Sequence, residues 1–134
     1  MASAGAYDMG SWYGTYYSTD RKGPLVHHKA LTRSFLLEDG LIRLGAAPWQ
    51  DPDTYVRNSP LYLAERVTTP VLFLHGDADT ATPLAQSEEM FTALYRQGRP
   101  ARFVRYWGDD HMLGPANARH AFNEIMQWLE TCVK

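Results

Sequence analysis

The sequence predicts an α/β fold, a partial parallel sheet flanked by helices, and three observations predict it. Val71 to Leu74 is a continuous apolar run behind Pro70, the mark of a strand covered on both faces, as strands of parallel sheets are. A helical pattern follows it, and then "ARFVRY" sets Phe103 and Arg105 against Val104 and Tyr106 in strand-like alternation. A last helical pattern runs toward the C-terminus, so the order strand, helix, strand, helix is that of a βαβ unit.

Taken in order, Ala2 to Tyr17 are small and aromatic residues without a sustained period, and read as a short buried strand near Ala4 opening into an aromatic loop or short helix. "STDRKGPLVHHK" is a polar, turn-rich linker around Gly23-Pro24. Leu36, Leu37, Leu41, Ile42 and Leu44 suggest a short amphipathic helix, which Gly40 weakens by about 1 kcal/mol relative to alanine. "GAAPWQDPDTYVRNSPLYLAERV", with three prolines, is expected to be irregular apart from one helical turn near Tyr55. Pro83 suits the first turn of the next helix, Met90, Phe91, Leu94 and Tyr95 are its apolar residues, and Gly98 is its stop. In the last helix Ala121, Phe122, Ile125, Met126 and Leu129 are expected to form one buried stripe.

The 134 residues are the length of one domain, and 45% hydrophobic with 21% charged residues is a globular composition. A net charge of -2 gives no electrostatic footprint for nucleic acid or an anionic membrane surface, so neither is expected as a partner. No run approaches the roughly 20 apolar residues that span a bilayer, and "MASAGAYDMG" has neither the basic flank nor the apolar stretch of a signal peptide. With Cys132 as the one cysteine there is no disulfide framework, and a cytoplasmic parent is favoured. His27, His28 and His120 have no companions at metal-ligand spacing and read as solvated, so no metal or cofactor is expected.

Asp77 and Asp79 follow one strand and His111 follows the next, and Asp79 and His111 are 32 residues apart, about one helix and one strand. Neighbouring parallel strands bring their end loops together, and an acid followed by a histidine are two of the three parts of a Ser-His-Asp site. On spacing alone the alternative stays open that the acids solvate a turn and His111 is a loop residue.

"TPVLFLHGDADTATPLAQSEEMFTALYRQGRPARFVRYWGDDHML" closely resembles the end of the catalytic domain in the prolyl oligopeptidase family of serine peptidases, which have the α/β-hydrolase fold. The motif is an apolar strand, His75-Gly76, two residues, Asp79, then Pro83 and Gln86-Ser87, and Gly108-Asp109-Asp110-His111 after the last strand. The likeness extends upstream through "PWQDPDTYVRNSPLYLAERV" and more faintly to "SAGAYDMGSWYG". It implies that residues 1–134 are the C-terminal portion of a truncated peptidase catalytic domain, with Asp79 as triad acid and His111 as triad base. Asp77 is the second choice of acid. His75 is expected to be a strand-end structural residue pointing away from the acid. The segment with Tyr7, Trp12, Tyr13, Tyr16 and Tyr17 resembles the one that supplies the primary specificity pocket, although the same rings could simply pack the half-sheet or an oligomer surface.

Two departures matter. No Gly-x-Ser-x-Gly elbow occurs, so the nucleophile and the oxyanion donor that comes with it are expected outside this chain, and the chain alone is expected to be inactive. Ser3 is a poor substitute: Ala2 and Ala4 flank it, and no helix pattern begins there. Family members often place Arg or Asn two residues after the acid to hold a peptide carbonyl, where this chain has Ala81. The expected function is thus hydrolysis of short peptides in the full domain. The alternatives are a non-catalytic assembly or binding module and an esterase of the same fold. The expected partners are a peptide substrate, and either the missing N-terminal half of the domain or a second copy at the open sheet edge.

Overall fold

The computed structural model describes residues 1–15 and 33–132. Its sheet has β2 (Val71–Gly76) in the middle, with β1 (Ala2–Ser3) and β3 (Ala101–Tyr106) on either side, both parallel to it. Ala2 lies opposite Phe73, and β3 runs in register from Ala101 opposite Val71 to Tyr106 opposite Gly76. The expected α/β class and its parallel sheet are therefore present.

The apolar run of β2 follows from what covers it. On one face Phe73 packs with Met90 and Leu94 of α4 (Leu84–Arg96) and with Ala64 of a 3₁₀ segment, Pro60–Arg66. On the other, Leu72, Leu74 and Tyr106 pack with Ala121 of α5 (Pro115–Cys132). Leu72, Phe73 and Leu74 are completely buried, each contributing about 1.5–3 kcal/mol by removal of apolar surface from water. A third cluster joins Met9 and Trp12 of α1 (Met9–Tyr13), Leu37 of α2 (Arg33–Glu38) and Tyr55 of α3 (Pro52–Arg57).

Local chemistry sets the boundaries. Asp8 caps α1 by accepting from the backbone N–H groups of Gly10 and Ser11, and Asp51 caps α3 by accepting from Thr54. Gly98, at φ +66°, ends α4: its N–H reaches the Tyr95 carbonyl at 3.0 Å and the Arg99 N–H reaches Leu94 at 3.0 Å, the paired bonds of a left-handed helix stop.

Three expectations are corrected. The helix expected across Leu36 to Leu44 ends at Glu38, because the chain turns at Gly40, whose N–H bonds the Phe35 carbonyl at 2.8 Å; Leu41 is left 80% exposed. The helical turn expected near Tyr55 is α3, but the rest of that stretch is not all irregular, because it also holds the 3₁₀ segment; Pro52 and Pro60 stand at helix starts, where no N–H is needed. The sheet-facing stripe of α5 keeps Ala121 and Ile125 of the expected set and adds Trp128, whereas Phe122 (61% exposed), Met126 and Leu129 face away from the sheet. The expected linker, with His27 and His28, lies outside the described residues, as do Tyr16 and Tyr17. No helix among the described residues is long and apolar enough to cross a membrane.

Candidate active site

The loops after β2 and β3 meet at the C-terminal edge of the sheet, where open α/β sheets place their chemistry. The loop after β2 turns back on the strand end, the Asp79 N–H reaching the Gly76 carbonyl at 3.3 Å. Asp79 then folds its own loop: Oδ1 accepts the backbone N–H groups of Ala81 and Thr82, each at 2.7 Å, the local self-capping at which aspartate excels. Its other oxygen, Oδ2, lies 2.9 Å from Nδ1 of His111. The Asp79 side chain is fully buried and that of His111 is 45% exposed.

The histidine loop is stitched to the acid loop at three points. Asp77 accepts from the Gly108 N–H at 2.6 Å and pairs with Arg105 at 2.9 Å. The Asp109 carbonyl accepts from the Ala78 N–H at 2.9 Å. Asp110 accepts from the Thr80 N–H and the His111 N–H, both at 2.8 Å, and from the Thr80 hydroxyl at 3.1 Å. Asp77, the second candidate for the acid, is thus an anchor for the histidine loop, while Asp79 meets the imidazole.

Electrostatics agree with this division. Burial pushes the Asp79 carboxyl upward, but bonds from His75, the Thr82 N–H and His111, with the charge of His111, outweigh it and hold the group below its ordinary value. Asp77 is lowered by the Gly108 N–H and then by Arg105, and Asp110 by the Thr80 and His111 N–H groups. Asp79 is therefore ionised at neutral pH, a fixed acceptor that puts the proton of neutral His111 on Nδ1. Nε2 of His111 has no hydrogen-bond partner among the described residues, so its lone pair is available to take a proton.

His75 is corrected. It is buried at the strand end as expected, but it does not point away from the acid: Nε2 lies 3.2 Å from Asp79 Oδ2 and 2.8 Å from the Thr82 carbonyl, and Nδ1 lies 2.6 Å from Ser87 Oγ of α4. The backward turn of the acid loop carries Asp79 over the face of β2 that holds Phe73 and His75. Sequence spacing did not reveal this. Gln86-Ser87 was the available signal, because its two side chains serve different ends: Gln86 Oε1 accepts the Tyr7 and Asp8 N–H groups at 2.8 and 2.9 Å, while Ser87 meets His75.

The aromatic candidates sit in two packed clusters. Tyr7 lies edge-on to Phe73 at 5.7 Å, and its phenol, raised by burial, is enclosed beside Ser87. Trp12 is buried with the Arg33 guanidinium 5.2 Å from its ring, and that guanidinium donates to the Thr80 carbonyl at 2.8 Å, tying the cluster to the acid loop. Tyr13 meets Trp49 and Tyr55 edge-on and donates to Glu38 at 2.7 Å; burial and the Glu38 carboxylate push its phenol up to about 12. Ser3 ends β1 opposite Leu74. His120 is not simply solvated: Nδ1 lies 3.2 Å from the Tyr106 hydroxyl and Nε2 3.7 Å from Glu124. Among the described residues no group of three or more His, Cys, Asp or Glu side chains could hold a metal ion.

Residues 30–134 match the model of the prolyl oligopeptidase family. An uncharacterised peptidase of Bacillus subtilis is 33% identical over 86 residues, which are 61% of this chain and 13% of that one. Among solved structures, an acylaminoacyl peptidase of Pyrococcus horikoshii aligns with 98% of this chain and 20% of its own at a TM-score of 0.77 and 19% identity, a likeness of fold. A puromycin-hydrolyzing peptidase of Mycobacterium tuberculosis aligns with 98% of this chain and 18% of its own at a TM-score of 0.71 and 26% identity. The chain thus spans about a fifth or less of the length of these proteins.

Proposed function

The chain belongs to the prolyl oligopeptidase family, and from that premise we propose that it carries the acid and the base of a serine peptidase whose nucleophile lies outside these 134 residues. The observation that carries the reading is the 2.9 Å contact between Asp79 Oδ2 and His111 Nδ1, with Nε2 of His111 unengaged. In this reading a serine from the remainder of the domain attacks the carbonyl of a short peptide. His111 Nε2 takes the serine proton and returns it to the leaving amine, while Asp79 holds the tautomer and stabilises the imidazolium. The oxyanion is held by backbone N–H groups that come with the serine. Tyr7, Trp12 and Tyr13 are taken to belong to the segment that walls the substrate pocket, Arg33 holding Trp12 against the acid loop. Loss of a triad nucleophile costs on the order of a million-fold in turnover, so the 134-residue chain assayed alone is inert. The one cysteine favours a reducing, cytoplasmic setting.

The test joins the chain to its native upstream segment and treats the product with a fluorophosphonate probe. Labelling that disappears in His111→Ala supports the reading; no labelling of the joined protein overturns it. Faster turnover of esters with no amide hydrolysis would assign the same machinery to an esterase.

A further inference from the structure

Asp79 has two imidazoles beside it, and only one of them belongs to the triad just proposed. Nε2 of His75 faces two acceptors, the Thr82 carbonyl at 2.8 Å and Asp79 Oδ2 at 3.2 Å. A carbonyl cannot donate, and the carboxylate is held ionised, so the proton must sit on Nε2 of His75. In the neutral ring that leaves Nδ1 as acceptor, and the one group it meets, the fully buried Ser87 hydroxyl at 2.6 Å, can donate. The Asp79 carboxylate then accepts three N–H groups, two from the backbone on Oδ1 and that of His111 on Oδ2, while the Nε2–H of His75, bonded to the Thr82 carbonyl, lies beside Oδ2 at 3.2 Å.

We propose that His75, oriented by Ser87, is a positioning residue for the proposed triad: neutral and protonated on Nε2, it shares Asp79 Oδ2 with His111 and so sets how strongly the acid holds the catalytic imidazole. The proposal rests on the hydrolase reading for its function. Because Oδ1 is pinned by the backbone, loss of His75 does not release the carboxylate; it removes the positive end of an N–H dipole from beside Oδ2. The undivided charge on Oδ2 then favours the His111 cation more. His75 thereby weakens the hold of Asp79 on the His111 cation and favours the neutral imidazole, the form that accepts a proton from serine.

The experiment is nitrogen-detected NMR of the imidazoles in the 134-residue chain, which needs neither serine nor substrate and so is decided independently of the hydrolase reading. In the unmodified chain His75 is expected as the Nε2–H tautomer, and an Nδ1–H tautomer overturns the proposal whether or not any variant folds. His75→Leu is expected to move the His111 titration midpoint upward by about half a unit or more. His75→Gln, which can present an N–H at the same place, is expected to restore most of it. A folded His75→Leu protein with an unchanged His111 midpoint would reduce His75 to a structural residue.

Discussion

Gly76, the last residue of β2, lies directly against the carbonyl of Asp109: a Cβ placed on Gly76 would overlap that oxygen and come within 2.8 Å of the carbonyl carbon. The constraint is steric. The strand that launches the acid loop and the backbone that leads to His111 touch with no room for a methyl group. Gly76→Ala must therefore push the histidine loop outward. Overpacking of this kind costs about 1–3 kcal/mol, so the expected result is a lower urea midpoint. The amide signals of Ala78 and His111 should shift with it, because the Ala78 N–H bonds the same Asp109 carbonyl. An alanine variant with unchanged stability and unchanged signals would show that the two loops are not in this contact.

Asp110 should matter to the site although it touches neither ring nitrogen of His111. Its carboxylate bridges the Thr80 and His111 backbones, so it clasps the loop of the acid to the loop of the base. Asp110→Ala is expected to leave the global fold in place and to lower the activity of the joined, full-domain enzyme by about ten- to a hundredfold, the usual consequence of small misplacement of catalytic groups. The loss should appear in kcat rather than KM. Unchanged kcat would mean that the two loops hold each other without it.

The elements that sequence reasoning captured are those whose chemistry is local or periodic. Val71 to Leu74 announced a doubly covered strand because α4 and α5 each bury one face of it. Asp79 and His111 announced themselves by following consecutive strands. What escaped depends on how loops fold back. His75 is expected to point away from the acid, yet the acid follows it around the turn at Gly76 and lands beside its ring. The α5 stripe was misplaced by one residue at several positions because its sequence has apolar residues on two faces, and only the sheet decides between them: Trp128 packs inward and Leu129 does not.

Acid pH should expose the stability that Asp79 contributes. Its folded value is depressed, so the stabilisation is fully present above the ordinary carboxylate value of about 3.9 and is lost as pH falls through the folded value. In Asp79→Asn an amide nitrogen in place of Oδ2 would face the Nδ1–H of His111 with the His75 N–H beside it, so that variant should be less stable at pH 7 and should lose less on acidification. Urea unfolding of both proteins from neutral pH to about pH 2 checks this; parallel curves would remove Asp79 from the acid transition.

Gln86 is expected to be the largest single contributor in α4. Its buried amide accepts two backbone N–H groups of the Tyr7–Asp8 segment and donates to the Ser11 hydroxyl at 2.6 Å. Gln86→Ala leaves those donors buried without acceptors, at about 1–3 kcal/mol for each. The expected outcome is early proteolytic cleavage within residues 1–15 and a stability loss of about 2–4 kcal/mol. A loss below about 0.5 kcal/mol would show that water replaces the amide.

Self-association is the expected behaviour of the chain by itself. Among the described residues β1 and β3 pair only with β2, so each offers one row of unpaired backbone groups. On α5, Phe122, Met126 and Leu129 recur at helical spacing on a face turned from the sheet, and all three are exposed. An apolar stripe on an exposed helix is unfavourable in water unless something covers it, and a second copy or the remainder of the domain would do so. Light scattering at micromolar concentration should therefore give a mass above that of a monomer. Phe122→Glu with Met126→Glu should move it toward the monomer, since charges cannot be buried in such a contact without partners. The joined, full-domain protein should show no such response if its own remaining segments already cover the edge and the stripe. A soluble monomer for the unmodified 134-residue chain would mean that both surfaces are stable in water as they stand.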